Sequence, residues 1–183
     1  VSHAQNLAQL TASPALAGTW WPGTVISEKL ATAAAVQQQQ QLLARLKSWS
    51  AELRADDDGE KAAVVDNLYQ QIAAIKVTGR QIVNLDPDWV RLRPEENRRL
   101  EGEYSVYTLQ KPGSLTIAGL ANNSGKTTWV AGRSVVDYLA DHERLDGGER
   151  NFVTLIAPTG KTEQVPVAYW NRRDIEPDAG SII

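Results

Sequence analysis

Hydrophobic residues in this chain follow a helical period as far as Thr78-Gly79 and an alternating period beyond it, and the fold must accommodate both. Ser27 is a plausible N-cap for a long helix running to about Arg54, with Glu28 in its first turn. Leu42, Leu46, Trp49 and Leu53 make one apolar stripe on it, and Gln37 to Gln41 form an exposed face, since glutamine is a fair helix former. The aspartates of "ADDDGE", Ala55 to Glu60, favour the start of a second helix electrostatically. They lack the alternating spacing and later bidentate glutamate of a calcium loop. The second helix carries Val65, Leu68, Ile72 and Ile75 and ends at Gly79, a left-handed terminator. Two helices joined so closely pack as an antiparallel hairpin.

After Arg80 the pattern is that of strands. "RQIVNLDPDWVRL" reads as a strand, a turn at Asp86-Pro87-Asp88, and a second strand. "EYSVYTLQKPGSLTIAGLA" alternates through Val106, Thr108, Leu115 and Ile117 with Pro112-Gly113 as a turn. Then come "KTTWVAG", a short helix capped near Ser134, strands "NFVTLIAP" and "VPVAYW", and a last strand from Gly180. This is an α+β pattern. Leu7, Leu10 and Leu16 have spacings of three and six, which Val136, Leu139 and Leu145 repeat. The echo makes the first half a related unit that lacks a leading hairpin and is interrupted by the helical pair.

"GLANNSGKTTW", Gly119 to Trp129, resembles the end of a phosphate-binding loop, but the first glycine is required at Leu120 and Gly119 is one residue too early. The β-branched and aromatic residues that follow favour a strand over the helix that would hold phosphates. A hairpin turning at Asn122 to Gly125 is the better account, with Lys126 solvated, and no nucleotide is expected. Net charge is −3, and the four arginines of Arg91 to Glu103 are matched by four glutamates, so no nucleic-acid partner is expected. Absence of cysteine removes disulfides, thiolate metal sites and a cysteine nucleophile, and fits an oxidising compartment without requiring one. The chain begins at Val1 and holds no methionine, as expected of a processed or trimmed chain whose signal peptide is gone. No apolar run reaches membrane-spanning length.

No catalytic constellation emerges. His3 near a terminus and His142 at a helix end suggest neither a metal pair nor a serine–histidine relay. Asp86 and Asp88 lie two apart in a turn, where carboxylates cap and solvate it, whereas the two acids of a glycosidase face each other across a cleft. Trp20 and Trp21, in "GTWWPG", face opposite ways if on a strand; they pack a core or offer a sugar-stacking platform. Arg80 begins a strand at the end of the helical segment, where its planar donors can hold a carboxylate, phosphate or sugar hydroxyls, or tie helix to sheet. Arg133 in "AGRS" is the analogous candidate. Trp170, Asn171 and Arg172 in "YWNRRD" either line a glycan or partner surface or pack a rim.

Taken in order, "WWPG", "VTGRQIVNLDPDWVRL", "YSVYTLQKPGSLTIAGL", "WVAGRSVVDYLADHERLDGG" and "VPVAYWNRRDIEPDAGS" resemble the GfcC-like capsule-biosynthesis family of the group 4 capsule operon of enteric bacteria. The resemblance runs from about Leu7 to Ile183. It implies two β-grasp (ubiquitin-like) domains similar to those of outer-membrane polysaccharide exporters such as Wza, the first interrupted by an inserted antiparallel helical hairpin. The expected domains are residues 1–103, with leading strands missing and the insert at about 27–78, and residues 104–183, truncated at the C-terminal end. It also favours a binding role for Arg80, since "TGR" belongs to the family pattern. The expected function is that of a periplasmic, non-enzymatic accessory protein of capsule or exopolysaccharide assembly or export, without metal or cofactor. It would bind polysaccharide or outer-membrane export machinery near Arg80 and the paired tryptophans. A glycan-modifying enzyme using Arg80 with Asp86 or Asp88, and a purely structural adaptor, are the alternatives.

Overall fold

The computed structural model describes residues 3–183 of the chain as a mixed α and β protein with small antiparallel sheets. Its contacts divide the chain into two compact units, residues 1–36 with 77–111 and residues 37–76 with 112–183.

In the first unit, helix α1 (Leu7–Thr11) is capped by the Asn6 side chain, which accepts from Gln9 N. Strands β1 (Val25–Glu28), β2 (Arg80–Gln81) and β3 (Tyr104–Tyr107) form a sheet in the order β2-β1-β3, all antiparallel. Strand β3, expected to open the second domain, pairs along the whole of β1, with Ile26 opposite Val106. Between β2 and β3 lies helix α4 (Pro87–Leu92), and Leu7, Leu10, Ile26, Leu85 and Val90 form the core. The turn expected at Asp86-Pro87-Asp88 is instead the start of α4. Asp86 Oδ1 accepts from Asp88 N and Trp89 N, and Pro87 supplies a first helical residue that needs no amide proton. Trp20 and Trp21 are not on a strand either, because Pro22 and Gly23 wind the chain into a short 3-10 turn, Trp21–Gly23.

Helix α2 (Lys29–Ala55) begins after Ser27, which is a buried β1 residue and not its cap. Helix α3 (Gly59–Ala73) is capped by Asp58 and ends at Ala73, well before Gly79. Gly79 is absent from the residues of positive φ, so it is no left-handed terminator. The two helices run antiparallel in the second unit. Gln39 Nε2 donates to the carbonyls of Ile72 and Ile75, each at 2.8 Å, while Ser50 and Arg54 at the far end of α2 bond Asp66. The buried stripe of α2 is Leu43, Leu46 and Ser50, while Leu42 and Trp49 are exposed. Leu46 belongs to the expected stripe and to the buried one, but its buried neighbours are Leu43 and Ser50, each one residue, or about 100° of helix, beyond the expected Leu42 and Trp49.

The rest of the second unit comprises β4 (Ser114–Ile117), β5 (Gly125–Thr128), α5 (Val135–Ala140), β6 (Phe152–Ile156) and β7 (Thr162–Pro166). "GKTT" is strand β5, hairpin-paired with β4 through Asn123 and Gly125 at positive φ, as expected. No hairpin forms about Pro112-Gly113: β3 belongs to one sheet and β4 to another. Strands β6 and β7 form a second hairpin. The segment 180–183 joins the two hairpins through isolated bridges. Ile182 is parallel to Thr116 of β4 and antiparallel to Ile156 of β6, with backbone bonds on both sides. The resulting order is β5-β4-(180–183)-β6-β7. Helix α5, closed by a reciprocal Ser134–Asp137 capping box, places Val135 and Tyr138 over Leu115, Ile117, Leu155, Val165 and Ile183. In both units the helix's first amide donates to a backbone carbonyl of a distant irregular segment, Leu7 N to Arg98 O at 3.0 Å and Val135 N to Ile175 O at 2.8 Å. The buried pairs on these helices are Leu7 with Leu10 and Val135 with Tyr138, each three apart, so in the second unit the buried pair falls one residue before the Val136 and Leu139 of the sequence echo.

Candidate functional site

The "TGR" segment is built around a close approach. A Cβ on Gly79 would stand 2.6 Å from Thr32 N and 2.8 Å from Ala31 C, and closer still to Glu28 O. Gly79 O accepts from Glu28 N at 2.8 Å and Gly79 N donates to Thr32 Oγ1 at 3.1 Å, so this glycine locks the end of β1 and the first turn of α2 together. Arg80 follows on β2, in register with the buried Ser27. Its guanidinium is half-buried and engaged within the fold, and burial pulls its pKa below the usual arginine value. Trp20 and Trp21 are half-buried in the same unit, and the Trp20 ring lies over Gly23, where a Cβ would overlap it.

The second unit holds the other candidates, and here the fold brings several together. Val167 N donates to Asn151 O and the chain then turns at Ala168–Asn171. Asn171 fixes that turn three ways: its Oδ1 accepts from Ala168 N at 3.0 Å, its own N donates to Ala168 O, and its Nδ2 donates to Asn151 O. Asn171 is thus a structural clamp. The turn drives two aromatic rings into solvent, Trp170 at 74% exposure and Tyr169 at 102%. Arg172 Nε pairs with Asp174 at 2.9 Å. Arg133 lies against the Tyr138 ring, 4.6 Å from its centroid, and pairs with Asp141, which raises its pKa. Asp137 is held below the usual carboxylate range first by the Ser134 hydroxyl, then by its backbone amide, with the charges of Arg172 and Arg133 adding to this. Both arginines therefore act on the start of α5, close to the exposed turn.

The carboxylates and histidines singled out by the sequence each have a local setting. Asp86 caps α4, Asp88 pairs with Arg91 at 3.2 Å, His3 is exposed, and His142 Nδ1 lies 3.1 Å from Asn122 O. Among the described residues no three histidine, cysteine, aspartate or glutamate side chains are placed to hold a metal, and no helix is long and apolar enough to cross a membrane. Sequence reasoning passed over Tyr169, although its adjacency to Trp170 just before Asn171 was visible. It also missed Trp89, whose indole is covered by Arg93 at 3.4 Å and whose Nε1 donates to Glu96 at 2.6 Å.

Comparison with known proteins gives the same result along the whole chain. The family description "Capsule biosynthesis GfcC, N-terminal" matches residues 1–111, and "Capsule biosynthesis GfcC C-terminal" matches residues 123–183. The "Uncharacterized protein YjbG" of Escherichia coli (strain K12) is 48% identical over 183 residues, spanning 100% of this chain and 73% of that protein. The two family matches, which between them take in both the "TGR" segment and the exposed aromatic turn, lead to one conclusion: the chain belongs to the GfcC capsule-biosynthesis family.

Proposed function

We propose that this protein is a periplasmic, non-enzymatic accessory factor of capsule or exopolysaccharide biosynthesis or export, and that it binds glycan. Family membership supplies the process, and the Tyr169–Trp170 turn carries the binding role. Two large aromatic rings held in water by a clamped turn contribute nothing to a core, and the apolar face of a pyranose is a natural partner for them. Arg172 and Arg133 nearby offer donors for hydroxyls or carboxylates. Arg80, with Trp20 and Trp21, is a second candidate contact in the first unit. The absence of turnover in this reading is supported by Asp86 and Asp88, which are committed to capping and pairing.

The fold reading goes with it. In the second unit the order β5-β4-(180–183)-β6-β7, with one parallel pair at its centre and a helix after the second strand, supports a β-grasp domain. The first unit's β3-β1-β2 matches the last three members of that order, with α2 and α3 inserted between β1 and β2. An adaptor role is the second reading, favoured by the exposed Leu42 and Trp49, one and the same face of α2 two turns apart.

Calorimetry with the surface polysaccharide of the producing bacterium tests the proposal. Trp170→Ala is expected to weaken binding at least tenfold, about 1.4 kcal/mol, with the fold intact. No binding by the unaltered protein would sink the glycan reading and leave the adaptor.

A further inference from the structure

A cleft of about 360 Å³ runs along one side of the α2–α3 pair, lined by Lys47, Ser50 and Arg54 on α2 and by Asp66, Tyr69 and Gln70 on α3. Lys47, Ser50 and Arg54 follow one another at three and four residues, and Tyr69 and Gln70 stand three and four residues after Asp66, spacings that make neighbours on a helix surface. The volume falls in the range of roughly 300–1,000 Å³ usual for small-molecule sites.

Its floor is saturated. Ser50, 2% exposed, donates from Oγ to Asp66 Oδ1 at 2.5 Å and accepts from Arg54 Nη1 at 2.7 Å, and Arg54 Nη2 pairs with Asp66. The Arg54 and Asp66 charges therefore cancel. The rim is not saturated. Lys47 Nζ, Tyr69 Oη and the Gln70 carboxamide make no hydrogen bond or ion pair with any described residue, yet all three line the same void. One uncompensated cation remains beside a phenol and an amide, on a protein whose net charge is −3.

That set has a definite complement. The ammonium answers a carboxylate, the phenol and carboxamide answer hydroxyls, and the half-buried Tyr69 ring offers apolar surface to a sugar ring. We infer that this cleft binds a uronic acid residue of an acidic polysaccharide. The inference rests on the glycan-binding reading above and names its sugar class.

The test is an NMR titration of the full chain with trigalacturonic acid, galactotriose and a triglutamate peptide as separate probes. Trigalacturonic acid is expected to shift the amides of residues 47–54 and 66–70 and to bind at least tenfold more tightly than galactotriose. Lys47→Ala is expected to weaken it tenfold, and Tyr69→Phe, which keeps the ring, about threefold. Equal binding of galactotriose, equal binding of the peptide at the same residues, or indifference to Lys47→Ala would each overturn the inference. If Trp170→Ala abolishes binding of the native polysaccharide while Lys47→Ala leaves it unchanged, the cleft is refuted and the broader glycan reading survives. If the native polysaccharide does not bind at all, both are refuted.

Discussion

At Gly79 the space around one missing methyl group organises the first unit. Three backbone atoms, of Glu28, Ala31 and Thr32, crowd the place a Cβ would take, and backbone cannot swing aside as a side chain can. Gly79→Ala is therefore expected to cost about 3 kcal/mol or more, read as a lower midpoint of urea unfolding with unchanged slope. The glycine was visible in the sequence, but its reason was not, because a close approach between residues 28 and 79 is a tertiary event. Trp170 shows the opposite case. At 74% exposure it makes little contact with its own fold, so Trp170→Ala is expected to change unfolding free energy by less than about 0.5 kcal/mol while weakening glycan binding. A large loss of stability would instead make the ring a structural prop.

Among the elements, those closed by local chemistry were legible. Ser134 announced α5 as its cap, and the structure adds Asp137, which closes a capping box within four consecutive residues. Ser134→Ala is expected to cost about 1 kcal/mol and to raise amide exchange in the first turn of α5. Elements whose definition depends on a distant partner were less so: β3 was assigned to the wrong sheet, and the Asp86 cap was taken for a turn between strands. On α2 the buried stripe keeps Leu46 but runs through Ser50 in place of Trp49, because Ser50, a polar residue, is buried with its bond to Asp66. That bond, and then the one from Arg54, hold the Asp66 carboxyl below its ordinary value of 3.8. A carboxyl shifted down in the folded state adds stability above its unfolded pKa and loses it as pH falls through the folded one. Acid titration of α2–α3 helicity should therefore fall off below about pH 4, and Asp66→Asn should remove that part of the dependence. A pH profile that is the same in both proteins would disprove the coupling.

For the molecule as a whole, the two apolar cores are drawn from separate lengths of chain. Leu115 to Ile183 supply every residue of one, and Leu7 to Val90 supply the buried residues of the other. A fragment of residues 112–183 is therefore expected to unfold cooperatively on heating, monitored by near-ultraviolet circular dichroism of Trp129 and Tyr138. A featureless melt would show that its sheet depends on residues 37–76. Sequence context singled out Arg133 in "AGRS" and Trp170 and Arg172 in "YWNRRD", but only the fold brought Arg172 and Arg133 to one helix start. The bridging segment 180–183 has a consequence for biogenesis. Until Ile182 has been synthesised, β4–β5 and β6–β7 are two unjoined ribbons with exposed inner edges, each too small to hold itself together. The second unit therefore stays open until its last few residues arrive, and closes into one sheet only when they thread between the two ribbons.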